Sequence, residues 1–200
     1  MAQIDHWESV VPEGAEFSYT LPSTEPAAAW KESGFDDSNW SIGAASIGYG
    51  DDDDATVISA TASVYLRKVF NIVDLSAIEQ VILHMDFDDG FVAYLNGVEI
   101  ARANMSGNPP AFDQLSDGLH EALLYQGIVP EHFEIDAALL NQGENILAVQ
   151  VHNQSLNSSD LTAMPVLSLG INNTSNDYFP TPDWFNYRTP VNFESSNLPI

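Results

Sequence analysis

Asn96-Gly97 lies between two apolar runs, Phe91-Val92-Ala93-Tyr94-Leu95 and Val98-Glu99-Ile100-Ala101. That dipeptide between alternating strands is the strongest local signal for a two-residue β-hairpin, because both turn positions need φ > 0. The turn also sets the register, since a slip of one residue would send each side chain to the opposite face. Counting back from the tip, Leu95 is expected opposite Val98, Ala93 opposite Ile100 and Phe91 opposite Arg102. Arg102 then sits at the hairpin end that carries Asp88 and Asp89, away from the tip. A lone cation beside two carboxylates is either a structural clamp or the edge of a site.

Its rarity gives that cation weight. The 200-residue chain has 29 Asp and Glu against 5 Lys and Arg, a formal net charge of -24. A surface of that sign repels phosphate backbones and anionic membranes, so neither nucleic acid nor membrane is an expected partner. It suits divalent cations, neutral ligands such as sugars, or a saline medium that screens self-repulsion. With no cysteine, disulfides and thiolate metal sites are excluded. No apolar stretch approaches the roughly 18 residues of a membrane span, and Met1 to His6 lacks the basic-then-apolar pattern of an export signal.

Elsewhere the pattern is that of strands. Val64 to Ile72 is rich in β-branched and aromatic residues. Val81, Leu83, Met85 and Phe87 share one face with His84 and Asp86 on the other, and Leu147, Val149 and Val151 alternate with Ala148, Gln150 and His152. Phe133 to Ile135 and Leu167 to Ile171 read as further strands, and Asp136 caps a single helical turn. Asp51 to Asp54 is a solvated loop, and Met105 to Pro130 is a long irregular excursion. No segment of ten residues has a helical pattern. The expected fold is an all-β antiparallel β-sandwich, a jelly roll with a long irregular crossover loop, over residues 1–171. Residues 172–200 read as a docked tail or a linker toward a following domain.

Four segments occur in the order seen in galactose-binding-like jelly rolls: Phe35 to Trp40, Tyr65 to Phe70, Tyr94 to Ile100 and Asn145 to Val151. The Gly48-Tyr49-Gly50 loop, the Asp88-Asp89-Gly90 turn, Arg102 to Met105 and Ser158 to Leu161 add to the match. The chain resembles the sugar-binding domains of β-galactosidase-type hydrolases. It is more similar still to modules of secreted multidomain bacterial proteins that stand beside spore-coat-H-like kinase or lamin-tail domains. Val191 to Ile200 resembles the lead-in to such a neighbour. The resemblance implies an extracellular or cell-surface, non-catalytic module that binds a glycan or polysaccharide, often with a structural calcium.

On the residues themselves, the expected carbohydrate site is one end of the sandwich, with Asp88, Asp89, Arg102, His152 and the ring of Tyr49. Calcium takes six to eight oxygens from several segments, so adjacent aspartates cannot all serve one ion. The expected contributors are Asp36, Asp37, Asp51 and Asp53. No zinc spacing, Gly-x-Ser-x-Gly elbow or phosphate loop is present, and no enzyme activity is expected. The competing expectation is a spacer that docks on a neighbouring domain through Tyr178, Phe179, Trp184 and Phe185.

Overall fold

A computed structural model describes residues 3–187; the segment Val191 to Ile200 lies outside the described residues. The strands are, in chain order, β1 (His6–Val11), β2 (Glu16–Thr20), β3 (Ser41–Ala44), β4 (Ile47–Tyr49), β5 (Thr56–Val57) and β6 (Ser63–Ile72). They continue as β7 (Ile78–Asp88), β8 (Gly90–Leu95), β9 (Val98–Ala103), β10 (Glu131–Ile135), β11 (Gly143–His152), β12 (Leu161–Ile171) and β13 (Phe179–Pro180). One sheet runs β10-β7-β12-β1-β13, with β4 and β5 attached beside β12; the other runs β3-β2-β6-β11-β8-β9. The pairings are antiparallel except the short β4–β5 contact. The result is the β-sandwich that the alternation calls for.

The core lies between the sheets. Val81, Leu83, Met85 and Phe87 of β7 meet Leu147, Val149 and Val151 of β11 there, on the faces their spacing predicts. The outer face of the second sheet is covered as well. Trp30, Tyr65, Val92, Tyr94, Met105, Ile146 and Ala148 form a separate cluster beneath Phe35, Trp40 and Phe112. Arg67 holds that cover down: its guanidinium donates to the carbonyls of Trp30 (2.5 Å) and Glu32 (3.0 Å) and to the Asp37 carboxylate (2.8 Å).

The Asn96-Gly97 turn forms with φ of 52° and 85°. The Asn96 amide also ties the tip to β11, since its oxygen accepts from the Ile146 N–H and its nitrogen donates to Asn145 and to the Leu139 carbonyl. The register differs from the count. Leu95 faces Val98 and Tyr94 faces Glu99, but then Ala93 faces Ala101 and Val92 faces Arg102. Ile100 is the extra residue of a β-bulge. The bulge lets two neighbours in sequence, Ile100 and Ala101, both pack on the inner core, which a regular strand forbids. Arg102 pairs with Val92 as a consequence, and its side chain is turned away from the expected partners.

Candidate functional site

Three strand ends lie side by side. β12 is flanked by β4 and β7, with Leu161 opposite Tyr49 and Thr162 opposite Asp88. Asp160, just before β12, is therefore set between the loop leaving β4, which carries Asp51, and the end of β7, which carries Asp88. The fourth contributor comes from the long connection between β9 and β10. Two buried carboxylates pin that connection: Asp89 Oδ1 accepts from the His120 N–H (2.9 Å), and Asp86 accepts from the N–H groups of Leu123 (2.6 Å) and Leu124 (3.1 Å). Glu121 is held between these anchors. One carboxylate oxygen each from Asp51, Glu121 and Asp160 lies within 4.8 Å of the others.

Asp88 is the buried member of this group, only 4% exposed, and its Oδ1 has no hydrogen-bond partner. Burial raises its pKa to about 8, reinforced by the charges of Asp89, Asp160 and Glu121. Asp54 is raised to about 7, first by burial and then by Asp53. Asp53 is raised too, by burial and then by Asp51 and Asp160. So many carboxylates, with no cation facing them among the described residues, repel one another, and the geometry suits a hard divalent ion that takes oxygen ligands.

The expected site residues divide. Asp51 belongs to the cluster. Asp53 stands beside it, at a separate 140 Å³ cavity lined also by Ser46, Asp86 and Tyr125. Asp37 gives one carboxylate oxygen to Arg67 and Asp36 is turned to the Ser38 N–H at 3.1 Å; neither belongs to the cluster. Asp89 is a loop clamp: besides His120 it accepts from the Gln154 N–H at 2.7 Å. Tyr49 is not an exposed ring. It packs against the core, its hydroxyl accepts from Asn153 (2.7 Å) and donates to the Ser158 carbonyl (3.4 Å). His152 is fully buried with Nδ1 against the Gln114 carbonyl at 2.8 Å; burial drops its pKa to about 4, so it is neutral and donates that proton. Arg102 makes a two-pronged pair with Glu99 (2.6 Å for both bonds) and donates to the carbonyls of Met105 and Gly107.

Asp89, Arg102, His152 and Tyr49 are thus spent largely on loop architecture, while Asp88 stays unpartnered beside the acidic cluster, and the five are not gathered into one open polar groove. For Arg102 this has a measurable consequence. The pair with Glu99 is part-exposed on both sides, at 29% and 32%, and such pairs are worth less than about 1 kcal/mol. Arg102→Ala is expected to cost no more than that in urea denaturation. A loss several times larger would mean that the carbonyl contacts of Met105 and Gly107, not the ion pair, govern the loop.

Glu121 and Asp160 escaped the sequence reading. Glu121 is a single acid in an apolar stretch and Asp160 a single acid in a polar loop, and the one available signal was Asp160 inside the Ser158 to Leu161 segment.

No protein-family model matches the chain, and no curated protein matches its sequence. Among solved structures, a beta-glucuronidase from an uncultured Clostridium species shares 16% identity at a TM-score of 0.53, covering 86% of this chain and 30% of that one. A beta-glucuronidase from glycoside hydrolase family 2 shares 15% at 0.53, covering 84% and 18%. The Bifidobacterium dentium beta-glucuronidase, complexed with coumarin-3-O-glucuronide, shares 16% at 0.50, covering 75% and 21%. At these identities the likeness shows a shared β-sandwich fold. The chain spans between a fifth and a third of the length of these enzymes, or slightly less.

Proposed function

We propose that this chain is a non-catalytic carbohydrate-binding accessory module of a secreted multidomain protein, with a structural calcium at its loop end. The observation that carries the cation is the convergence of Asp51, Glu121 and Asp160 beside the unpartnered, buried Asp88. Calcium would link the β4 loop, the start of β12 and the long connection, which are otherwise pushed apart by like charge. Glycan as the ligand class is supported by the fold held in common with parts of beta-glucuronidases. It is supported also by a net charge that disfavours anionic partners.

The docking alternative has less behind it, because most of its aromatic residues are engaged within the chain. Phe185 packs on Trp7 and His84, Trp184 on His84 with its indole N–H to Glu13, and the Tyr178 hydroxyl accepts from the Val73 N–H. Of the four, Phe179 is the exposed one.

Two measurements test the proposal. Calcium at 100 times its Kd adds about 2.7 kcal/mol, which for a domain of this size raises the Tm by about 5–10 °C. Magnesium at equal ionic strength is expected to do far less, since it demands a smaller octahedron. Equal shifts with both ions would reduce the effect to charge screening and remove the calcium. Separately, an array of plant, algal and bacterial polysaccharides in calcium buffer should show retention on at least one glycan. An array blank throughout would overturn the carbohydrate reading.

A further inference from the structure

Most of the polar residues expected to meet a sugar are engaged at the loop end, but a second set with bonding capacity to spare borders a cavity on the outer face of the second sheet. Between the segment Glu25 to Lys31 and the turn Pro109-Pro110-Ala111 there is a cavity of about 380 Å³, a volume within the range of small-molecule sites. Its walls are apolar: Trp30 and the prolines. Trp30 is kept in place by the Arg67 bond to its carbonyl and by edge contacts with Tyr65 and Tyr94, at ring separations of 4.7 and 5.7 Å.

The polar groups around those walls are of both kinds. Gln150 lines the cavity; its amide nitrogen donates to the Tyr94 hydroxyl at 3.0 Å, which leaves the amide oxygen as an acceptor. Lys31 brings an ammonium, held 4.5 Å over the Tyr94 ring. Glu25 brings a carboxylate, one oxygen of which accepts from the Phe112 N–H at 3.0 Å. Beneath them stands Tyr65, the cross-strand neighbour of Gln150. Tyr65 is 0% exposed and its hydroxyl has no partner. Tyr65 therefore underlies the floor of this face without lining the cavity.

We propose that this cavity, not the loop end, receives one neutral pyranose unit of a glycan. A pyranose ring has apolar C–H faces and an equator of hydroxyls that both donate and accept. Trp30 and the prolines match the faces; Lys31 can donate to the equator, while Gln150 and Glu25 accept from it. An anionic sugar meets Glu25 and the overall negative field. A flat apolar ligand would leave the Gln150 amide oxygen without a donor. The inference rests on the carbohydrate reading for its ligand class and adds the place.

The test is a proton–nitrogen NMR titration of the calcium-supplemented protein with the methyl glycosides of glucose, galactose, mannose and xylose in pyranose form. At least one is expected to shift the Trp30 indole and Gln150 side-chain amide signals together. Ala28 is exposed at the cavity rim, and Ala28→Phe should weaken that titration at least tenfold with the Tm unchanged. Lys31→Met serves as the second variant should Ala28→Phe not fold. Shifts confined to Gly50 and Gln154 at the loop end, or glycan retention on the array without shifts at Trp30, would overturn the placement while leaving the carbohydrate reading intact. A blank array would overturn both.

Discussion

In chelating buffer at pH 8, Asp88→Asn is expected to melt above the parent protein and to lose most of its response to calcium. The first half follows from burial. The folded-state pKa of Asp88, about 8, lies above the ordinary carboxylate value, so the folded protein binds this proton more tightly than the unfolded chain does. By linkage, the resulting stability is fully present below the unfolded pKa and is lost as pH rises toward 8. Asparagine carries no charge and avoids that loss. One pKa unit is worth about 1.4 kcal/mol, and a gain of at least that size is expected, or about 3–5 °C for a chain of this length. Asp53, Asp54 and Asp86 are shifted in the same direction, so the pH slope of the variant should shrink rather than vanish. Melts from pH 5.5 to 8.5 with chelator, for both proteins, check this; parallel curves would show that Asp88 is not the costly charge. The second half follows from chemistry, since a neutral amide replaces the carboxylate that stands behind Asp51, Glu121 and Asp160. A calcium response equal to that of the parent would place the ion away from Asp88.

Arg67→Ala is expected to be among the most damaging single substitutions in the second sheet. Arg67 is 3% exposed, and its guanidinium sits 5.1 Å from the Phe35 ring and satisfies the Trp30 and Glu32 carbonyls as well as Asp37. Burial pulls its pKa down while Asp37 and Glu144 push it back. Truncation strands two carbonyls and a carboxylate and opens a void under Trp30. Groups left without partners cost roughly 1–3 kcal/mol each when buried; with Asp37 part-exposed, a total of about 3 kcal/mol is expected. That corresponds to a fall in Tm of about 6–12 °C. Asp37→Asn, which keeps the carbonyl bonds, should cost under about 1 kcal/mol. Arg67→Lys should fall between them, because an ammonium cannot reproduce the three-way fork. If Asp37→Asn matched Arg67→Ala, the ion pair and not the carbonyl anchoring would be holding the cover on the sheet.

The interior was legible in the chain because strand faces have a period of two and the apolar residues follow it. Val81 to Phe87 and Asn145 to His152 announce which side meets the core, and Asn96-Gly97 announces a turn whose φ values only such residues take readily. The Asp136 cap is equally local: its carboxylate accepts from Ala138 two residues on. Ile100 shows where local rules stop. The bulge there exists because Ile100 and Ala101 both gain burial against the other sheet, and no pattern within β9 records that demand. With it went the expected meeting of Arg102 with Asp88 and Asp89.

The grouping of charge obeys the same limit. A run such as Asp51 to Asp54 is visible in one dimension, whereas the grouping of Asp51, Glu121 and Asp160 depends on β12 lying between β4 and β7 and on Asp86 and Asp89 anchoring the long connection. The sequence by itself determined the all-β class, the inward faces of the long strands and the hairpin tip, all set by neighbours a few residues apart. The tertiary structure alone decided which carboxylates converge, which are buried, and which polar groups border the cavity on the outer face. Those outcomes depend on strand order, and desolvation and Coulomb repulsion act through space, without regard to distance along the chain.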